Sequence, residues 1–215
     1  MRSILIYLVL LAVVIAAPPL MPDAASSGPC VDGVNNVFDL DNVGNESALY
    51  IRAKNVIAQT YDVNEKPSCY NGRASVQLPG MIKLVSGTLI VTKKFDLEKS
   101  GDLRLTVTKD SFFIGTVCMD GVSQTSLVPS SDCHRKIFPG LDKGFVDMIS
   151  NPGTYDLQEI EKGAGRSNVV SLPAIPSTEA FIVTGDWEAQ LTLISDGETV
   201  ADIKAPSNTH WLYVS

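Results

Sequence analysis

The sequence predicts an all-β fold, a two-sheet antiparallel β-sandwich, on three observations. Short segments alternate apolar and polar residues with a period of two, as in Leu103–Thr108 (LRLTVT) and Trp187–Leu193. Turn dipeptides separate such segments, with Asn71-Gly72 and Asp196-Gly197 the sharpest. No long amphipathic helical period interrupts them.

The first element along the chain is not a strand. Arg2 followed by the unbroken apolar run Ile4–Ala17 has the form of a signal peptide, too short for the roughly 20 residues of a membrane span. Cleavage is expected near Ala16, with Ala24 as the alternative. Residues 17–48 are rich in Pro, Ser, Gly, Asp and Asn and are expected to be irregular, tied down at Cys30, leaving 49–215 as the folded domain. The expected destination is the secreted pool or the lysosomal lumen.

Tyr50–Tyr61 (YIRAKNVIAQTY) is a candidate strand, followed by a turn-rich stretch that holds Asn71-Gly72. Thr88–Phe95 and Leu103–Thr108 are β-branched strands, and Leu103, Leu105 and Val107 share one face. The LEKSGD segment between them supplies turn chemistry. Ser111–Val117 then leads into an apolar excursion from Cys118 to Ile149 that has neither strand alternation nor a long helical period. Its first half, 118–133, reads as a mostly polar flap. Its second half crowds Ile137, Phe138, Leu141, Phe145, Val146, Met148 and Ile149, with one or two helical turns expected within 140–149. Asn151-Pro152-Gly153 ends that segment. Ala180–Thr184 runs into Gly185-Asp186 and the strand from Trp187 to Leu193, after which Asp196-Gly197 returns Glu198–Ala205 antiparallel.

All four cysteines, Cys30, Cys69, Cys118 and Cys133, lie beyond the leader, and an even number in an oxidising compartment argues for two disulfides. Three pairings are open; the nearest-neighbour one, Cys30 with Cys69 and Cys118 with Cys133, is preferred because its second member closes a compact loop. Asn45-Glu46-Ser47 is a glycosylation sequon at Asn45. The formal charge of −7 becomes −8 without Arg2, which disfavours nucleic acid as a partner.

Catalytic chemistry finds little material. His134 and His210 are the chain's two imidazoles, and neither sits in a GxSxG context. Asp132 near His134 suits a solvated turn with Arg135 and Lys136 better than an acid/base pair. Gly163-Ala164-Gly165 lacks the Lys and hydroxyl of a phosphate loop and reads as a short loop. No CxxC occurs, so neither metal nor cofactor is expected.

The order VSGTLIVTKKFDL, GDLRLTVTK, a cysteine-bracketed apolar loop, NPGTYDL, LPAIPS and TGDWEAQLTLISDGETVADIKA resembles the ganglioside activator branch of the ML lipid-recognition superfamily over about residues 80–205. That family's last strand usually carries a cysteine before IK, where this chain has Ala201-Asp202-Ile203-Lys204. The resemblance implies an immunoglobulin-like β-cup whose splayed sheets enclose an apolar inter-sheet cavity. It implies a non-catalytic protein that binds or transfers lipid, touches membranes transiently and presents glycolipid to a glycosidase. By position it places Phe112, Phe113, Phe138, Leu141, Phe145, Met148 and Ile149 at a lipid-facing rim, and Trp187, Leu191 and Leu193 along an inner wall. The alternative is a secreted β-sandwich that recognises another protein through the same apolar patch.

Overall fold

A computed structural model describes residues 29–126, 128–165, 167–175, 180, 182–207 and 211–215. The expected signal peptide, His210 and the end of the LPAIPS motif lie outside the described residues. The strands are β1 (Val37–Asn42), β2 (Ile51–Asp62), β3 (Cys69–Tyr70), β4 (Arg73–Val76), β5 (Gly80–Val91), β6 (Asp102–Lys109) and β7 (Thr116–Met119). They continue with β8 (Val122–Ser123), β9 (His134–Lys136), β10 (Gly153–Asp156), β11 (Val169–Leu172), β12 (Gly185–Ser195), β13 (Glu198–Ala205) and β14 (Leu212–Val214). Short helices intervene among the described residues, including α1 (Leu97–Ser100), α2 (Ser130–Cys133), α3 (Lys143–Ile149) and α4 (Leu157–Ala164).

The fold is all-β, and its strands form one continuous sheet curled into two facing walls. The first wall runs β1, β2, β5, with β10 and β11 both paired to the outer edge of β5. The second runs β13, β12, β6, with β7 and β9 side by side on the far edge of β6. The walls meet along one seam, where Asp41 and Asn42 of β1 pair with Lys204 and Ile203 of β13. Pairing is antiparallel except between β14 and β4.

That seam corrects the expectation that 17–48 is irregular. β1 lies inside the segment, because Phe38 and Leu40 alternate with Asp39 and Asp41 and turn an apolar face inward; Phe38 is buried. Without β1 the two walls have no shared edge.

Other elements fall where their chemistry directs. β6 buries Leu103, Leu105 and Val107 and leaves Arg104, Thr106 and Thr108 half-exposed, as its alternation predicts. Asp196 and Gly197 both take positive φ, 51° and 82°, and join β12 to β13 in a tight hairpin. Asn71-Gly72 likewise joins β3 to β4. The disulfides pair Cys30 with Cys69 and Cys118 with Cys133. The second bridge is fully buried, tying β7 to the end of α2.

Three local expectations need correction. β5 begins at Gly80 and stops at Val91, so the strand expected over 88–95 is shifted toward the N-terminus. LEKSGD folds its first four residues into α1, capped by the Asp96 carboxylate on the Lys99 N–H. Ala180, Ile182 and Val183 are helical rather than extended, with the Thr184 N–H on the Ala180 carbonyl at 2.7 Å.

Candidate ligand cavity

Between the walls lies an apolar cavity of about 450 Å³. β1 contributes Phe38 and Leu40, β2 Ile51, Ala53, Val56 and Ala58, and β5 Ile82, Leu84 and Leu89. Leu103, Leu191, Leu193, Ala201, Ile203 and Ala205 face them from the opposite wall. Small residues leave room, since Ala53, Ala58, Ala201 and Ala205 stand at lining positions where larger side chains would take up the space.

The inward set of the first wall changes parity midway. On β2 it runs Ile51, Ala53 and then Val56, Ala58; on β5 it runs Ile82, Leu84, Ser86 and then Gly87, Leu89. Two neighbouring irregularities accompany the shifts: the ladder breaks its register between Lys54 and Ile57, where Asn55 takes a φ of 51°, and again between Ile57 and Ala58, where β5 carries the extra residue. Gly87, at φ 154°, faces the bulge, where an added Cβ would lie 3.1 Å from Val56 Cγ2. The bend lets one strand pair keep lining the same space as the wall curls.

The open edges of the two walls are bridged by the 137–149 segment and α4. Ile137, Leu141, Phe145 and Ile149 enter the lining from the first and Leu157 and Ile160 from the second. α3 starts at Asp142, whose Oδ1 accepts from the Gly144 N–H at 2.9 Å. α4 starts with a full capping box: Asp156 Oδ1 accepts from the Glu159 N–H at 2.9 Å, and Glu159 Oε2 from the Asp156 N–H at 3.0 Å. The two helices meet closely, because a Cβ on Gly144 would lie 2.4 Å from the Gly163 carbonyl oxygen.

The polar residues of the lining gather by α4. They are Ser86, Asp142, Glu161, Ser167 and Asn168. Glu161 Oε1 accepts from the Asn168 N–H at 3.0 Å, and Asn168 Nδ2 donates to the Leu84 carbonyl at 2.9 Å, which holds α4 and the start of β11 against β5. Asp142, Ser167 and Val169 are the exposed members of the lining and mark where the cavity reaches solvent.

Of the residues expected to face lipid, Leu141, Phe145, Ile149, Leu191 and Leu193 line this space together. Phe138, Met148 and Trp187 do not. Phe138 and Met148 pack half-buried on the core, with Met148 against α4 beside Gly163. Trp187 is buried at the far end of β12, donating its indole N–H to the Val183 carbonyl at 2.6 Å. Phe112 and Phe113 are 98% and 93% exposed, on the turn after β6, with rings 5.5 Å apart and edge to face. The turn follows Lys109, six residues along β6 from the cavity-lining Leu103, a separation of about 20 Å at strand rise. Asn45 is exposed and caps a single 3-10 turn, accepting from the Ser47 N–H.

The contributions of β1, β2, β5, β13 and α4 were not foreseen, yet α4 has a clear signature. Asp156 and Glu159 form the capping box, Leu157 and Ile160 lie one turn apart, and Gly165 closes the helix in the left-handed conformation. The Gly163-Ala164-Gly165 stretch read as a loop is therefore the C-terminal end of a helix.

The ionisable groups with displaced pKa values lie outside the cavity. Asp102 is held below the ordinary carboxylate range, first by the Lys136 ammonium at 2.7 Å and then by His134 at 3.4 Å. Asp132 pairs with Arg135 at 3.3 Å rather than with His134. Burial lowers the Lys109 ammonium, which donates to the Ile182 carbonyl and lies over the Trp187 ring at 5.4 Å. Burial raises Asp202, against hydrogen bonds from Gln190 and Thr192. Among the described residues no group of three or more His, Cys, Asp or Glu side chains gathers to hold a metal ion. No protein-family model matches the chain, and a search of curated proteins returns no match.

Proposed function

We propose that this protein is a non-catalytic lipid carrier that shelters one acyl or alkyl chain in the cup between its walls. The observation that carries the reading is the cavity: about 450 Å³, lined almost throughout by aliphatic side chains and open beside a short polar edge. At about 30 Å³ per methylene, close to the share of one water, that space takes roughly fifteen carbons. At ~0.8 kcal/mol each they supply about 12 kcal/mol gross. Association and ordering costs of about 4–15 kcal/mol leave room for a bound but exchangeable chain.

The two disulfides are compatible with an extracellular or lysosomal compartment. Phe112 and Phe113 offer an apolar tip for a transient contact with a bilayer. The resemblance to the ganglioside activator branch of the ML superfamily extends the proposal to presenting a bound glycolipid to a glycosidase. Native mass spectrometry of the purified protein, with displacement of a neutral fluorescent apolar probe, tests the reading. Adducts of lipid mass and displacement by a long-chain alcohol are expected. A lipid-free protein that takes up no probe would sink it.

A further inference from the structure

The polar edge of the cavity has a sign. Among the described residues that line it, the ionisable ones are Asp142 and Glu161, both carboxylates, and the others there, Ser86, Ser167 and Asn168, are neutral. No described Lys, Arg or His enters the lining. Lys143, next in the chain to Asp142, is engaged instead by Glu98 at 2.7 Å and Asp147 at 3.3 Å. An amphiphile with its chain among Leu84, Leu141, Phe145 and Leu193 leaves its polar end where the cavity reaches solvent, at Asp142 and Ser167.

Resting on the lipid-carrier reading, we infer that the cup selects amphiphiles whose polar end carries no negative charge and donates hydrogen bonds, with an amine favoured over an alcohol and an alcohol over a carboxylate. A carboxylate or phosphate at this mouth meets two like charges and, among the described lining residues, no compensating cation. An ammonium meets the same two groups as attraction, and a hydroxyl donates to either. Asp142 and Glu161 are also structural acceptors, on the Gly144 and Asn168 N–H groups, so their carboxylates are fixed at the opening.

The test uses one chain length and three polar ends. Tetradecylamine, tetradecanol and tetradecanoate compete, each below its aggregation threshold and at neutral pH, for the protein loaded with a neutral fluorescent probe. The amine is expected to displace the probe at a concentration about tenfold or more below the carboxylate, with the alcohol between. The double variant Asp142→Asn, Glu161→Gln keeps both hydrogen-bond acceptors, so the cap on α3 and the tie from α4 to β11 persist. In it the three ligands are expected to converge to within about twofold, which separates recognition at the mouth from general attraction to an acidic protein. Equal displacement by all three in the native protein, a carboxylate that binds tightest, or a preference that survives the double variant would each overturn the inference while leaving the cavity occupied. A protein that binds no probe would remove the lipid-carrier reading itself.

Discussion

Leu84 and Leu105 are the same residue in two environments, and truncating each to alanine separates an open cup from a filled core. Leu105 is 2% exposed on β6, inside the core and not among the residues that line the cavity. Leu105→Ala should leave a closed void and cost about 3 kcal/mol, within the range for buried leucines. Leu84, on β5, is half-buried and borders the open space. Three carbons at ~0.8 kcal/mol, about half of that contact already forgone, give roughly 1 kcal/mol for Leu84→Ala, with no new closed void to add. For a domain of this size each kcal/mol shifts Tm by about 2–4 °C, so expected losses are about 6–12 °C for Leu105→Ala and about 2–4 °C for Leu84→Ala. Thermal and urea unfolding followed by circular dichroism and by fluorescence of the buried Trp187 reads both. Equal losses would show that the walls close on one another in solution, and the cup would fail with them.

Two further outcomes follow from the surface and from titration. Replacing Phe112 and Phe113 together by serine should weaken co-sedimentation with neutral phosphatidylcholine vesicles severalfold while moving Tm by less than about 2 °C, because both rings are exposed; unchanged sedimentation would rule out this tip as the membrane contact. Asp102 has a folded-state pKa below its unfolded one, so its contribution is present above the unfolded value and lost as pH falls through the folded value. Asp102→Asn should flatten that acid-side loss of stability. Lys109 is lowered by burial, so its penalty is complete below the folded pKa and relieved as pH rises toward the ordinary lysine value of about 10.4. Across that alkaline window the native protein should gain stability relative to Lys109→Met. Denaturant midpoints measured across pH check both slopes.

What could be read from the chain follows from how local each signal is. The hairpin at Asp196-Gly197, the alternation of β6 and the compact Cys118–Cys133 bridge are each specified within a few residues, and each forms as expected. β1 carried a readable Phe38-Asp39-Leu40-Asp41 alternation that the Pro- and Ser-rich residues before it obscured. α4 is eight residues long, and its capping box outweighs any periodicity so short a helix can show. The cavity lining is a different case. Ile51, Ala53, Val56 and Ala58 share a face only because a bulge shifts the strand by one residue, and nothing in the period-two pattern announces that shift.

The same bulge explains why the apolar excursion is only part of the site. The 137–149 segment supplies Ile137, Leu141, Phe145 and Ile149, which bridge the open edges but enclose nothing alone. Space is left where alanines on β2 and β13 line it in place of larger side chains, in walls bent at the Asn55 bulge and Gly87. A greasy segment laid over a flat, well-filled sandwich would complete a core, as an apolar loop ordinarily does. Laid over walls that are curled and alanine-lined, it lines the space between them instead. The role of the segment is therefore set by small residues far from it in sequence, and enlarging Ala53 or Ala201 should bear on ligand capacity more directly than altering Phe138 or Met148, which pack outside the space.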